Sequence, residues 1–267
     1  MTEPFSATPN TLLRKLWISV AITAAIVVAT IFFVSVPAAR FSDPAAREYV
    51  AAIARVILAV VAIFALRQSS PDALRSPTPR SWWIILPVAF YSLIVYPLLF
   101  TGTLALNVSD PNLAGGVAAN GFAAGALEEL VFRGLILSLW LSSDLEDQKL
   151  NNAWRAILVS ALFFSLPHAL NLFVGHAETR VIAQLVWAFL LGAVFACLRI
   201  VGRSIWPVAV LHGAMNAFVH VNRLGVEIQP SLLGAVALAC APLPLCLFAA
   251  ILLKKELRSR ASQSMTT

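Results

Sequence analysis

Three short clusters in this sequence place acid, imidazole and amide groups at spacings that suit proton transfer. The first is Glu128-Glu129-Leu130-Val131-Phe132-Arg133. Glu129 and Arg133 are four apart, so on a helix they share a face with the acid on the N-terminal side, the favourable order. Glu128 is turned about 100° away from Glu129. One carboxylate therefore carries a built-in counter-charge, and the other is left able to accept a proton. The second cluster is Phe164-Ser165-Leu166-Pro167-His168. Pro167 cannot donate to the carbonyl of Phe163, so a helix here should bend just before His168. The third is His212-Gly213-Ala214-Met215-Asn216, with His212 and Asn216 one turn apart among small residues that permit close approach. Each cluster alone has a plainer reading: a packing network, a satisfied histidine, a helix contact. Arg55 is open between snorkelling and pairing with a carboxylate. His176 reads as a loop residue and His220 as an interfacial or loop residue.

The elements that must hold these groups are membrane helices. Of 267 residues, 60% are hydrophobic and 12% charged, and mean hydropathy is +0.84. A soluble domain carries about 45–50% apolar and about 25% charged residues. That excludes soluble and disordered chains, and the long unbroken apolar runs argue against a barrel. The expected fold class is an all-α integral membrane protein, with about eight transmembrane helices around a polar intramembrane cavity. The segments read are Leu16–Val36, Tyr49–Leu66, Trp82–Leu106, Val117–Leu141, Ala153–Val174, Val181–Val201, Ser204–His220 and Leu232–Leu253. Most approach the roughly 20 residues that a span requires, with the second and seventh short. The first is longer than a signal-peptide core and reads as a retained helix. Prolines, glycines and charges fill the breaks, and no repeat points to a transporter of two copies. Cys197, Cys240 and Cys246 lie in apolar runs without a metal or disulfide pattern.

Basic residues set an expected orientation. With the N-terminus inside, thirteen of the nineteen Lys and Arg fall on the cytoplasmic side and four outside. Both termini are then cytoplasmic in a multi-pass cell-membrane protein, with the Lys254–Arg260 cluster at an anionic leaflet. Counting about 1.5 Å per residue from the outer ends, Glu128 lies about 17 Å deep, His168 about 9 Å and His212 about 12 Å. The three can share one layer, which independent packing residues have no reason to do.

Taken together, the motifs resemble the CAAX protease and bacteriocin-processing family, the Abi-type intramembrane proteases, which includes the type II CAAX prenyl endopeptidases. The family's Glu-Glu-x-x-x-Arg stands here as Glu128-Glu129 with Arg133. Its Phe-x-x-x-His stands as Phe164 with His168, its Phe-x-x-Gly as Phe189 with Gly192, and its His-x-x-x-Asn as His212 with Asn216. The resemblance covers about Gly121–Phe218. It implies residues 1–115 as N-terminal membrane helices, 116–222 as the family core, and 223–267 as a last membrane helix with a basic tail.

The resemblance implies an intramembrane endopeptidase acting on a membrane-associated protein or peptide, CAAX-type and prenylated or a bacteriocin leader, with no nucleic acid involved. Glu128, assisted by His168, would activate water; His212 and Asn216 would hold the oxyanion; Glu129 and Arg133 would hold the helix and set the field; Phe164 and Phe189 would shape the cavity. Family members are often called metalloproteases, and Glu128, His168 and His212 would suit zinc. Metal-independent activation is the preferred expectation, because Asn216 is a poor zinc ligand and a good oxyanion donor. There is no His-Glu-x-x-His motif, Gly-x-Ser-x-Gly elbow or intramembrane Asp pair. The alternative function is a non-enzymatic scaffold or an ion- or proton-coupled transporter using the same cluster.

Overall fold

The computed structural model describes residues 9–95, 97–98, 108–141, 150–222, 224 and 231–264, and among these the chain is helical with no strand. Helix α1 (Asn10–Ala38) contains a π-helical stretch, Thr30–Ser35. It is followed by α2 (Pro44–Ser69) and α3 (Pro79–Val95). Next comes α4 (Pro111–Glu129), which runs into a π-helical stretch (Leu130–Ile136) and then α5 (Leu137–Leu141). Helix α6 (Leu150–Ser165) tightens into a 3-10 helix, Leu166–Leu172. The chain continues through α7 (Glu178–Gly202), α8 (Trp206–Asn222), α9 (Leu232–Cys240) and α10 (Leu243–Ser264).

Five helical stretches are long and apolar enough to cross a membrane: Asn10–Ala38, Pro44–Ser69, Asn151–Leu172, Glu178–Gly202 and Leu232–Gln263. They match the first, second, fifth, sixth and eighth expected segments. The other three expected segments are helical where described. The third, Trp82–Leu106, is described as helix in Pro79–Val95, and part of its remainder lies outside the described residues. The fourth carries Glu128, Glu129 and Arg133, and α8 is only 17 residues long.

Several helices begin earlier than the apolar runs do, and capping explains why. Asp43 accepts a hydrogen bond from the Ala46 amide at the start of α2, where Pro44 occupies the first turn. Asp110 accepts from the Asn112 and Leu113 amides ahead of Pro111 in α4. An acidic cap followed by proline satisfies the free amides and presets the first φ angle. Hydropathy therefore misplaced these starts at Tyr49 and Val117, because the first turns are capped rather than greasy. Glu128 consequently sits deeper along its helix than the twelve residues counted from Val117, though still near the middle of the Pro111–Leu141 rod.

The rods sort into lipid-facing and internal ones. On α1 and α2 large apolar side chains such as Trp17, Phe32, Phe33, Ile53, Ile57 and Val61 are exposed. That is a surface suited to acyl chains and not to water. The core is built from Leu66, Ile136, Leu137, Phe164, Leu191, Phe195 and Leu198, all essentially buried. Polar ties join the rods. Ser160 donates to the carbonyl of Phe132 in the π-helical stretch at 2.8 Å, Ser165 to the Leu185 carbonyl at 2.9 Å, and Trp140 Nε1 to Ser19 Oγ at 3.0 Å. A lipid environment demands such internal satisfaction.

Helix α4 meets α8 backbone to backbone. A Cβ on Gly121 would stand 3.0 Å from the Asn216 carbonyl, and one on Gly125 would stand 2.8 Å from the Gly213 nitrogen and the His212 carbonyl. Neither neighbour is a flexible side-chain end, so neither can move aside. Gly121-x-x-x-Gly125 is the spacing that brings two membrane helices this close. Gly125→Ala is expected to cost about 1–3 kcal/mol through overpacking. Gly115→Ala, whose Cβ would meet only the hydroxyl end of Tyr49 within 3.4 Å, should cost less. Thermal unfolding in detergent compares the two.

Candidate active site

The glycine seam sets Glu128 and Glu129 of α4 against His212 of α8. Glu129 is fully buried and its Oε1 accepts two hydrogen bonds, from Arg133 Nη1 at 2.9 Å and from His212 Nδ1 at 2.8 Å. The Arg133 side chain is also wholly buried. Its guanidinium carbon lies 4.1 Å from the centre of the Phe164 ring, a cation–π contact strengthened by desolvation. Gly192 of α7 makes room for it, since a Cβ there would stand 2.8 Å from Arg133 Nη2 and 3.1 Å from Phe164. The expected Glu129–Arg133 pairing is thus present, and it sits where the chain changes from α- to π-helical hydrogen bonding, a feature that recurs at functional sites.

Committing Nδ1–H of His212 to Glu129 fixes the orientation of the ring. Its Nε2 then faces Glu128, at 3.6 Å from Oε2. That separation is too long for a direct hydrogen bond and within ion-pair distance when the ring is protonated. Glu128 is 32% exposed, while its neighbour Glu129 is fully buried. The two adjacent acids therefore have different surroundings: one is locked between two donors, the other opens to a more accessible space.

His168 stands in the 3-10 stretch after α6. The helix does not merely bend at Pro167; it tightens from i→i+4 to i→i+3 bonding at Leu166. His168 Nδ1 lies 3.2 Å from the Phe164 carbonyl and 3.3 Å from that of Ser165, so this nitrogen donates back into its own helix and leaves Nε2 with the lone pair. The Phe164 ring touches both imidazoles edge-on, with centroids 5.4 Å from His168 and 5.6 Å from His212. Asn216 is half-buried one turn beyond His212, and among the described residues its amide has no hydrogen-bond partner.

The structure thus brings Glu128, Glu129, Arg133, Phe164 and His212 into one contact network, with His168 joined through Phe164. His220 is exposed in the last turn of α8, and His176 follows the 3-10 stretch in a turn; neither joins the network. Phe189 makes no ring contact with either imidazole among the described residues. Phe195, which the motifs did not single out, packs 5.2 Å from His212, and Phe132 packs 5.5 Å from Phe164.

Arg55 of α2, for which the sequence leaves snorkelling and pairing open, turns into the protein. It donates to the Asn120 side-chain carbonyl, and Asn120 in turn donates to Glu48 at 2.6 Å. Glu128 and Glu48 both act on Arg55 through their charge. The N-terminal helices therefore bring a cation towards the site. Asn120 lies two turns before Glu128 on α4, a spacing that could have flagged it.

A zinc site needs ligands at about 2.0–2.2 Å from one ion. Among the described residues no three His, Cys, Asp or Glu side chains gather to hold a metal, so Glu128, His168 and His212 do not form one cage. The Nδ1 atoms of both histidines are committed to Glu129 and to backbone carbonyls, which leaves Nε2 on each ring as the atom open to a ligand.

An all-helical membrane protein with a buried Glu–Arg–His network beside a more open carboxylate is the class that fold and site define. Residues 110–218 match the family model described as Rce1-like, type II CAAX prenyl endopeptidase Rce1-like. The match runs from the Asp110 cap into α8, includes every motif residue named above, and supports the CAAX protease family recognised in the motifs. No curated protein and no solved structure gives a significant match.

Removing Arg133 would leave Glu129 buried without its cation. Arg133→Met should therefore lose about 3–5 kcal/mol. Glu128→Gln, at a half-open position, should shift the unfolding midpoint little. Denaturant or thermal unfolding of the two variants in detergent checks the contrast.

Proposed function

We propose that the protein is an intramembrane endopeptidase that hydrolyses a peptide bond of a membrane-associated protein or peptide, with Glu128 activating the attacking water. The observation that carries this reading is the division of labour at the site. Glu129, Arg133 and His212 Nδ1 are bound to one another, while His168 Nε2 and the Asn216 amide have no hydrogen-bond partner among the described residues and Glu128, a third exposed, faces His212 Nε2 at 3.6 Å without a hydrogen bond. The supporting groups are tied to one another, with Glu129 Oε2 and Arg133 Nε and Nη2 left over among the described residues, and the working groups are available.

In this reading a water held between Glu128 Oε2 and the imidazoles gives its proton to Glu128 as its oxygen attacks the scissile carbonyl. His168, its Nε2 unprotonated, assists on the same side. His212 Nε2–H and the Asn216 amide donate to the oxyanion as it develops, in a site whose low dielectric strengthens each donor. Glu129 acts as a positioning residue: by accepting from Nδ1 it turns Nε2 towards the reacting atoms, and its acid stabilises positive charge on that ring. Glu128 then passes its proton to the leaving amine. The substrate reaches the site from the bilayer, as CAAX-type or leader peptides would. Both chain termini face the cytoplasm in the proposed topology.

Purified protein, incubated with a peptide library and read by mass spectrometry, should cleave at defined positions. Glu128→Gln should stay folded and lose about 10²–10⁴-fold in rate. Asn216→Ala should lose about 10²–10³-fold, as expected for one oxyanion donor. Equal cleavage by wild type, Glu128→Gln, His168→Ala and His212→Ala would refute the assignment.

A further inference from the structure

The strongest feature outside this site is a cavity of about 300 Å³ where the C-terminal ends of α2, α5 and α7 meet α10. That volume is at the lower end of the range of small-ligand pockets, about 300–1,000 Å³. Its polar lining includes Asp72, Arg75, Ser138, Arg199, Arg203 and Arg260. Four guanidinium groups thus surround a space that one carboxylate also lines.

The arginines are not equivalent. Arg75 pairs with Asp72 at 2.8 Å on the exposed rim. Arg203 and Arg260 share Glu256, at 3.9 Å and 3.0 Å. Arg199 has no carboxylate of its own among the described residues. Its Nη2 donates to Ser138 Oγ at 3.2 Å, and its Nε is buried with no partner. A buried guanidinium donor left unmatched is costly. Glu256 is also held by Arg80 at 2.6 Å, so with both acids and Arg80 counted the cluster holds three positive charges in excess.

Capping of helix C-termini accounts for basic residues at this end of the bundle. It does not account for a cavity of this size walled by four guanidinium groups. Guanidinium groups present a planar fork that fits phosphate oxygens, and basic pockets between membrane helices take phospholipid head groups. The pocket also lies at the end of the molecule where the sequence concentrates Arg67, Arg75, Arg80, Arg203 and Lys254–Arg260.

We propose that this cavity binds a phosphate group, from an anionic phospholipid or from free phosphate, with Arg199 as its central ligand. Arg203 and Arg75 contribute charge from the rim. The site is separate from Glu128 and His212 and is independent of the peptidase reading.

The test titrates the full chain in neutral detergent with phosphatidylglycerol, with phosphatidylcholine of the same acyl chains, and with inorganic phosphate. Unfolding midpoints give apparent Kd values. Phosphatidylglycerol should stabilise the wild type, and Arg199→Gln should raise its Kd about tenfold, as loss of a charge-assisted hydrogen bond implies. Stabilisation by inorganic phosphate with the same sensitivity to Arg199→Gln would identify free phosphate as a ligand too. No response in any arm overturns the proposal. So does an equal response to phosphatidylcholine, which would report acyl chains alone, and so does an unchanged Kd in Arg199→Gln. Should that variant fail to fold, Arg75→Gln, altered on the exposed rim, decides: a Kd raised a few-fold supports the site and an unchanged Kd refutes it.

Discussion

The contact of α4 with α8 is the constraint on which the site depends. At Gly121 and Gly125 the two backbones approach so closely that a single methyl group would collide with main-chain atoms. In a membrane no hydrophobic force draws helices together, so close packing must do that work. The seam fixes the height of His212 relative to Glu129, and a hydrogen bond of 2.8 Å follows. A shift of one residue along either helix would place a different side chain opposite the acid.

Around that contact the chain solves an electrostatic problem. A buried carboxylate and a buried guanidinium are each expensive in a low dielectric, and they are tolerable only when matched. Glu129 and Arg133 match each other across the junction between α- and π-helical bonding, the Phe164 ring covers the guanidinium, and Gly192 makes space for it. The same acid then orients His212. Adjacent carboxylates thus come to do different things: Glu129 is spent on structure, and Glu128 is left half-open.

Much of this was legible in the sequence because it depends on spacing along one helix. Glu129 and Arg133 are four apart, His212 and Asn216 are four apart, and Pro167 precedes His168; each relation is local. What was not legible depends on contacts between helices. The Arg55–Asn120–Glu48 chain joins residues more than sixty positions apart, and nothing in a hydropathy profile marks it. Phe195 could not be distinguished from Phe189, since only the rotation of α7 decides which ring meets His212. The helix starts at Pro44 and Pro111 were missed because Asp–Pro caps, not apolar residues, define them. The change to 3-10 geometry after Ser165 was foreseen only as a bend, since proline dictates a lost hydrogen bond but not how the helix recovers.

The π-helical stretch from Leu130 to Ile136 has a consequence for how this rod tolerates change. It lies between the acids on one side and Ser138 and Trp140 on the other, which reach Arg199 and Ser19 respectively. Winding the same residues as an ordinary α-helix would swivel the distal half by roughly 100°. The acids would keep their bearing while the far anchors turned away. The loop of looser winding is therefore a phase adjuster: it lets one continuous rod satisfy two sets of neighbours whose angular demands a uniform helix could not meet together.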